Sequence, residues 1–153
     1  MPVDADLIRN SFEYLTQHEV ELCHKVYALL FDADPELEDL FTARHSAASS
    51  QMVRESLVYA FDYVDGATWV PINMSSLGSK HVEYEVVEAM YEQFIDAMLT
   101  AMSELSGDQW SPELENSWRE LLRYLAELMV AELPGKSADS IVPPETIESQ
   151  EAS

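Results

Sequence analysis

Apolar residues recur along this chain at three- and four-residue spacing almost from end to end, the period of an amphipathic helix. Leu7, Ile8, Ser11, Phe12 and Leu15 form a first stripe and Leu22, Val26, Tyr27, Leu29 and Leu30 a second, so two helices meet near residues 17–20. Asp34-Pro35-Glu36 is a start signal. Asp caps free backbone N–H groups, Pro tolerates the first helical position, and Glu suits the positive end of the helix dipole. A short helix to Phe41 follows from it. From Ser49 or Ser50 to Val64 the apolar side is Val53, Leu57, Ala60, Phe61 and Val64, and Asp65-Gly66 stops that helix. Val70, Met74, Leu77 and His81 then fall at i, i+4, i+7 and i+11, which sets an imidazole on the buried stripe of a helix starting near Pro71. Val87, Met90, Tyr91, Phe94, Met98 and Met102 make the next helix. Ser111-Pro112-Glu113 opens the last, which buries Leu114, Trp118, Leu121, Leu125 and Leu128 and ends by Pro134-Gly135.

No segment alternates in polarity for long enough to build a sheet, and no period of about 20–50 residues repeats. The expectation is all-α, with one domain over residues 1–133. Residues 134–153 hold Pro, Ser and Glu, with Ile141, Val142 and Ile147 as the sizeable apolar groups. That is too little burial to offset chain entropy, so a disordered acidic tail is expected.

Composition agrees with one core, since 153 residues at 47% hydrophobic content exceed what a disordered chain carries. Charge narrows the partners. With 29 Asp+Glu against 8 Lys+Arg, the net charge of −21 repels nucleic acid and anionic membrane surfaces, so neither is an expected partner. A saline cytoplasm, a cationic or electrophilic partner, or solubility alone would each account for such acidity, and a halophilic or marine source is the reading leaned toward. The acidic start, Met1-Pro2-Val3-Asp4-Ala5-Asp6, lacks the basic and apolar regions of a signal peptide. No apolar run approaches the roughly 20 residues that span a bilayer. A soluble, cytoplasmic protein is expected. Cys23 is alone, which rules out an intramolecular disulfide and suits a small core residue.

His81 carries the most chemistry. A neutral imidazole in an apolar helical wall can bind haem iron through one nitrogen while the other donates to a backbone carbonyl. A core histidine satisfied by hydrogen bonds is the other occupant of such a position, and spacing alone slightly favours it. The surroundings change the balance. Around His81 stands Leu77-Gly78-Ser79-Lys80-His81-Val82-Glu83-Tyr84-Glu85-Val86, with Tyr91 ten residues on. Upstream are Asp34-Pro35-Glu36-Leu37 and Leu40-Phe41, with Tyr27 fourteen residues before Phe41, and Trp118 stands in the last helix.

In this order and at these separations, over residues 5–132, the chain resembles the globin family, specifically bacterial single-domain globins similar to the haem domain of flavohaemoglobins. The resemblance implies a globin fold, a three-over-three helical sandwich around haem b (iron protoporphyrin IX). It implies His81 as the proximal iron ligand, Tyr91 beneath the haem, Phe41 packed on the porphyrin, and Leu77 and Lys80 at the cofactor. Tyr27 would donate a hydrogen bond to a bound gas, and Arg44 and Arg54 would join Lys80 as partners of the propionates. Trp118 alone reads as ordinary core packing. One departure stands out: Glu85 occupies a position where the motif usually has glycine.

Two distal registers stay open. Counting from Phe41 puts Gln51 at the gas ligand, with Glu55 one turn later. A shift of one puts Met52 there, with Ser56 a turn on and Val53 and Leu57 in the core. His45, in the loop after Phe41, is a further candidate. On the proximal side, Glu127 or Glu132 would supply the last helix's carboxylate to the histidine and tyrosine.

The implied function is reversible binding of O2, NO or CO. Oxidation of NO to nitrate, or a peroxidase side activity, would draw on an outside electron donor, because 153 residues leave no room for a flavin-and-nicotinamide reductase. An electron-donating reductase is therefore the implied protein partner, and a homodimer is a separate expectation. A gas sensor signalling through the tail or through residues 86–104 is a second reading. A haem-free, globin-like helical protein that binds a partner or another chromophore is a third.

Overall fold

The computed structural model describes residues 2–42 and 46–148, and the side chains at 40–42 and 46–50 lie outside that description. The helices are α1 (Ala5–Gln17), α2 (Glu19–Ala33), α3 (Glu36–Thr42), α4 (Ser46–Val64), α5 (Val70–Glu83), α6 (Glu88–Ser106) and α7 (Pro112–Val130). The all-α expectation holds, with two-residue strands β1 (Val3–Asp4) and β2 (Thr146–Ile147) as the addition. Among the described residues, no helix is long and apolar enough to cross a membrane.

Local signals set the helix ends. The Asp4 carboxylate accepts from the backbone N–H groups of Asp6 and Leu7 at α1, and Ser111 Oγ accepts from Leu114 N–H at α7, where Pro112 opens the first turn. Asp34 accepts from Glu36 N–H through Oδ1 and from Gln93 Nε2 through Oδ2, each at 3.2 Å, so one side chain both starts α3 and ties it to α6. Asp65-Gly66 ends α4 as expected, with Gly66 in the left-handed region at φ 91°.

Packing pairs α2 with α6, α5 with α7, and α1 with α4. Val53, Leu57 and Ala60 of α4 meet Leu22 and Val26 of α2 and Met98 and Met102 of α6 in one contiguous core. Trp118 sits fully buried within it, its indole N–H donating to Ser11 Oγ at 3.0 Å, so the ring's polar edge is satisfied. Cys23 is half-buried against this core.

The segment expected to be a disordered tail instead returns along the body as far as Glu148. Val3 pairs with Thr146 and Asp4 with Ile147 in parallel register, and Val3 N–H donates to the Glu145 carbonyl at 2.7 Å. Arg9 meets Glu148 at 2.7 Å, Asp65 at 2.8 Å and Asp6 at 3.0 Å. The apolar count failed to foresee this because it ignored what the body offers: an unpaired strand edge and a cation among carboxylates. These ion pairs are exposed and screened. Arg9→Ala is expected to speed protease cleavage within residues 134–148 while lowering the melting temperature by at most about 2–4 °C, the shift of ~1 kcal/mol in a domain this size.

Candidate functional site

The last turn of α5 builds the site. Its buried side, Val70, Met74 and Gly78, faces the core, and His81 stands half-buried one turn beyond Leu77. His81 Nδ1 lies 2.7 Å from the Leu77 carbonyl oxygen. A carbonyl can only accept, so Nδ1 carries the proton, and in the neutral ring Nε2 is the nitrogen with the lone pair. Nε2 makes no hydrogen bond among the described residues. Tyr91, in the first turn of α6, places its ring 6.0 Å from the imidazole at a 34° tilt. Tyr91 is buried yet stands apart from the contiguous core.

Burial pushes the Tyr91 phenol up to about 12, so it is a neutral hydrogen-bond donor at any working pH. The sign of the linkage follows. Between the ordinary tyrosine value near ~10 and the folded value, the unfolded chain loses this proton first, and stability falls with rising pH. Tyr91→Phe should flatten that alkaline loss, and a titration of tyrosinate absorbance should lose its latest step. An unaltered late step would assign the high value to another tyrosine.

Two backbone features hold α5 where it is. At Gly78 an added Cβ would lie 2.6 Å from the Met129 carbonyl oxygen and 2.7 Å from Met129 Cα, so α5 lies flush on the end of α7. At the other end, Val86 N–H donates to the His81 carbonyl and Glu85 N–H to the Val82 carbonyl, each at 3.0 Å. This pair of bonds is a Schellman cap, and it needs a left-handed residue at Glu85, whose φ is 65°. The motif gives Gly78 no role; the sequence signal for this contact is a small residue amid a buried helical stripe.

The remaining candidates are spread over the surrounding helices. Leu77 is partly buried against the core, and Lys80 is exposed, with no ion pair among the described residues. Tyr27 is buried in α2, the helix packed along α6, and its ring lies 5.7 Å from that of Phe31. Phe41 belongs to α3, but its side chain lies outside the described residues, as do Arg44 and His45. On α4, Gln51 is exposed and its amide donates to Glu55 at 2.8 Å, whereas Met52 is half-buried. Val53 and Leu57 are fully buried. Of Gln51 and Met52, Met52 is the less exposed.

Three other candidates have surroundings of their own. Arg54 is exposed and lies 3.7 Å from a Glu19 carboxylate oxygen. Glu127 and Glu132 are both exposed, and the Leu77 carbonyl takes the imidazole N–H that a carboxylate would have bonded. The backbone acceptor is already in place four residues back on the same helix, so no α7 side chain is needed to orient the ring.

Helices α2 to α7, with an oriented and half-buried imidazole at the end of α5, define a class of all-helical domain. The globin family model matches residues 24–129, from α2 to the last turn of α7, and the chain belongs to the globin family. The sequence is 27% identical to leghemoglobin-1 of Lupinus luteus, over 86% of this chain and 94% of that protein. It is 25% identical to a flavohemoprotein of Chromobacterium violaceum, over 88% of this chain but 34% of that longer protein. An uncharacterized globin-like protein of Aquifex aeolicus is 23% identical over 81% of this chain and 87% of its own length.

Proposed function

We propose that this globin holds haem b through His81 and, on it, binds a diatomic gas: O2, NO or CO. The supporting observation is His81 itself, with Nδ1 bonded to the Leu77 carbonyl and Nε2 left with a free lone pair beside a buried tyrosine. An imidazole oriented in this way is prepared to be a metal ligand. Among the described residues no three His, Cys, Asp or Glu side chains converge, so a metal with this one protein donor must bring most of its coordination with it. Haem fits that requirement and supplies an iron with a further position for the gas. Leghemoglobin and flavohemoprotein, two of the relatives above, are haem proteins by name.

The chain's own residues then divide the work. His81 binds and orients from α5, and Tyr91 shields that side from water. Tyr27 is the distal donor, with Met52 rather than Gln51 as the inner residue of α4, since the Gln51 amide is already engaged with Glu55. Phe41 packs on the porphyrin, and Lys80, exposed one residue before His81, meets a propionate. We read the molecule as a cytoplasmic gas carrier or store. Any turnover of NO to nitrate would need electrons from a reductase.

The deciding measurement is the absorption spectrum after haem reconstitution. A Soret band that shifts on adding CO to the reduced protein is expected. No band would remove the haem assignment, and a band indifferent to CO would remove the gas-binding one. Nitrate formation from NO under air, with and without an added reductase, then separates storage from turnover.

A further inference from the structure

We propose that Glu85 is a positioning residue for His81, acting through the cap that ends α5. Among the described residues, Glu85 is the one non-glycine residue at positive φ. A side chain there crowds its own backbone, which is why glycine dominates this cap position. Its charge is also misplaced. The negative end of the α5 dipole lies beside it, and its exposed carboxylate makes no ion pair among the described residues.

What this strained residue holds is the histidine's own backbone. The His81 carbonyl accepts from Tyr84 N–H at 3.1 Å and from Val86 N–H at 3.0 Å, and the second bond exists only while Glu85 stays left-handed. The Leu77 carbonyl grips the ring from the preceding turn. His81 is thus clasped from both sides, firmly at Nδ1 and weakly at its carbonyl, and the weak clasp is the one Glu85 sets. An opening of the Val86 bond frees the last turn of α5 and, with it, the direction in which Nε2 points. Glu85 therefore governs how rigidly the ligand nitrogen is presented. Its relevance to the gas site rests on His81 being the iron ligand, as proposed above.

Three substitutions separate the causes. Glu85→Gly removes the crowding and the charge, Glu85→Gln removes the charge alone, and Glu85→Val makes the crowding worse. Amide exchange at Val86 in the haem-free chain should slow roughly fivefold in the Gly variant, stay within about twofold in the Gln variant and quicken roughly tenfold in the Val variant. The nitrogen resonances of the His81 ring should follow, with more of the Nδ1-protonated tautomer in the Gly variant and less in the Val variant. In the haem-loaded protein the iron–histidine stretching band should move in the same order. Equal Val86 exchange in the Gly and Val variants would overturn the proposal. So would altered exchange with unaltered ring resonances, which would make Glu85 a purely structural cap. If haem fails to bind at all, the iron assignment falls, and the haem-free exchange and ring measurements still decide the cap.

Discussion

His81→Gly is expected to lower haem retention by more than about 100-fold, beyond the range seen when only a supporting partner of a metal ligand is lost. Imidazole added to the buffer should restore the Soret band. The imidazole is the group at this site with an oriented, unshared nitrogen lone pair, and deletion of the ring leaves a gap of the right size for free imidazole. The fold should survive, because His81 is half-buried and belongs to the rim of the core rather than its interior. Glycine near a helix end costs about 1 kcal/mol at most, so far-ultraviolet circular dichroism should be unchanged at room temperature. An unaltered Soret band in the variant would move the ligand to another residue. Loss of the band without rescue, in a folded variant, would point instead to a structural role for the ring.

Much of this arrangement was legible in the residues. The spacing of Val70, Met74, Leu77 and His81 predicts α5, where Val70 and Met74 are buried and Leu77 and His81 half-buried, and Ser111-Pro112-Glu113 marks the start of α7 to the residue. Such signals are local, and a helix obeys them whenever tertiary packing asks for the same face. What escaped was long-range. The β1–β2 pairing joins residues more than 140 apart, and no composition count along residues 134–148 contains the strand edge at Val3 or the cation at Arg9. Gln51 and Met52 differ by one helical position; the count from Phe41 favours Gln51, and the periodicity of Val53, Leu57 and Val64 favours Met52. The side-chain hydrogen bond and the burial along α4 are not written in that spacing: Gln51 is exposed and donates to Glu55, whereas Met52 is half-buried. At Glu85 the residue's identity argued against a left-handed turn, and the cap geometry overrode it.

Gly78→Ala is expected to destabilise the protein although alanine is the better helix former. On propensity alone this exchange, in the middle of α5, would stabilise by about 1 kcal/mol. Packing opposes it. The new methyl carbon would sit 2.6 Å from a backbone oxygen and 2.7 Å from a backbone Cα of Met129, closer than carbon tolerates, and neither atom can swing aside as a flexible side chain could. Relief requires α5 and α7 to separate by several tenths of an ångström. Overpacking of this kind costs about 1–3 kcal/mol, and Gly78→Val should exceed Gly78→Ala because it adds two more methyl groups beside atoms that already crowd the Cβ, the Glu132 side chain at 3.0 Å included. For the alanine variant we expect a net fall of about 2–6 °C in melting temperature. Ser79→Ala, on the exposed side of the same turn, should leave the melting temperature unchanged within about 2 °C. Because Gly78 lies less than one turn before His81, the displacement reaches the site. Haem affinity should fall further in Gly78→Val than in Gly78→Ala, in step with stability. A rise in melting temperature for Gly78→Ala would show that the two helices have room between them, and that something other than the α5–α7 contact sets the position of the histidine.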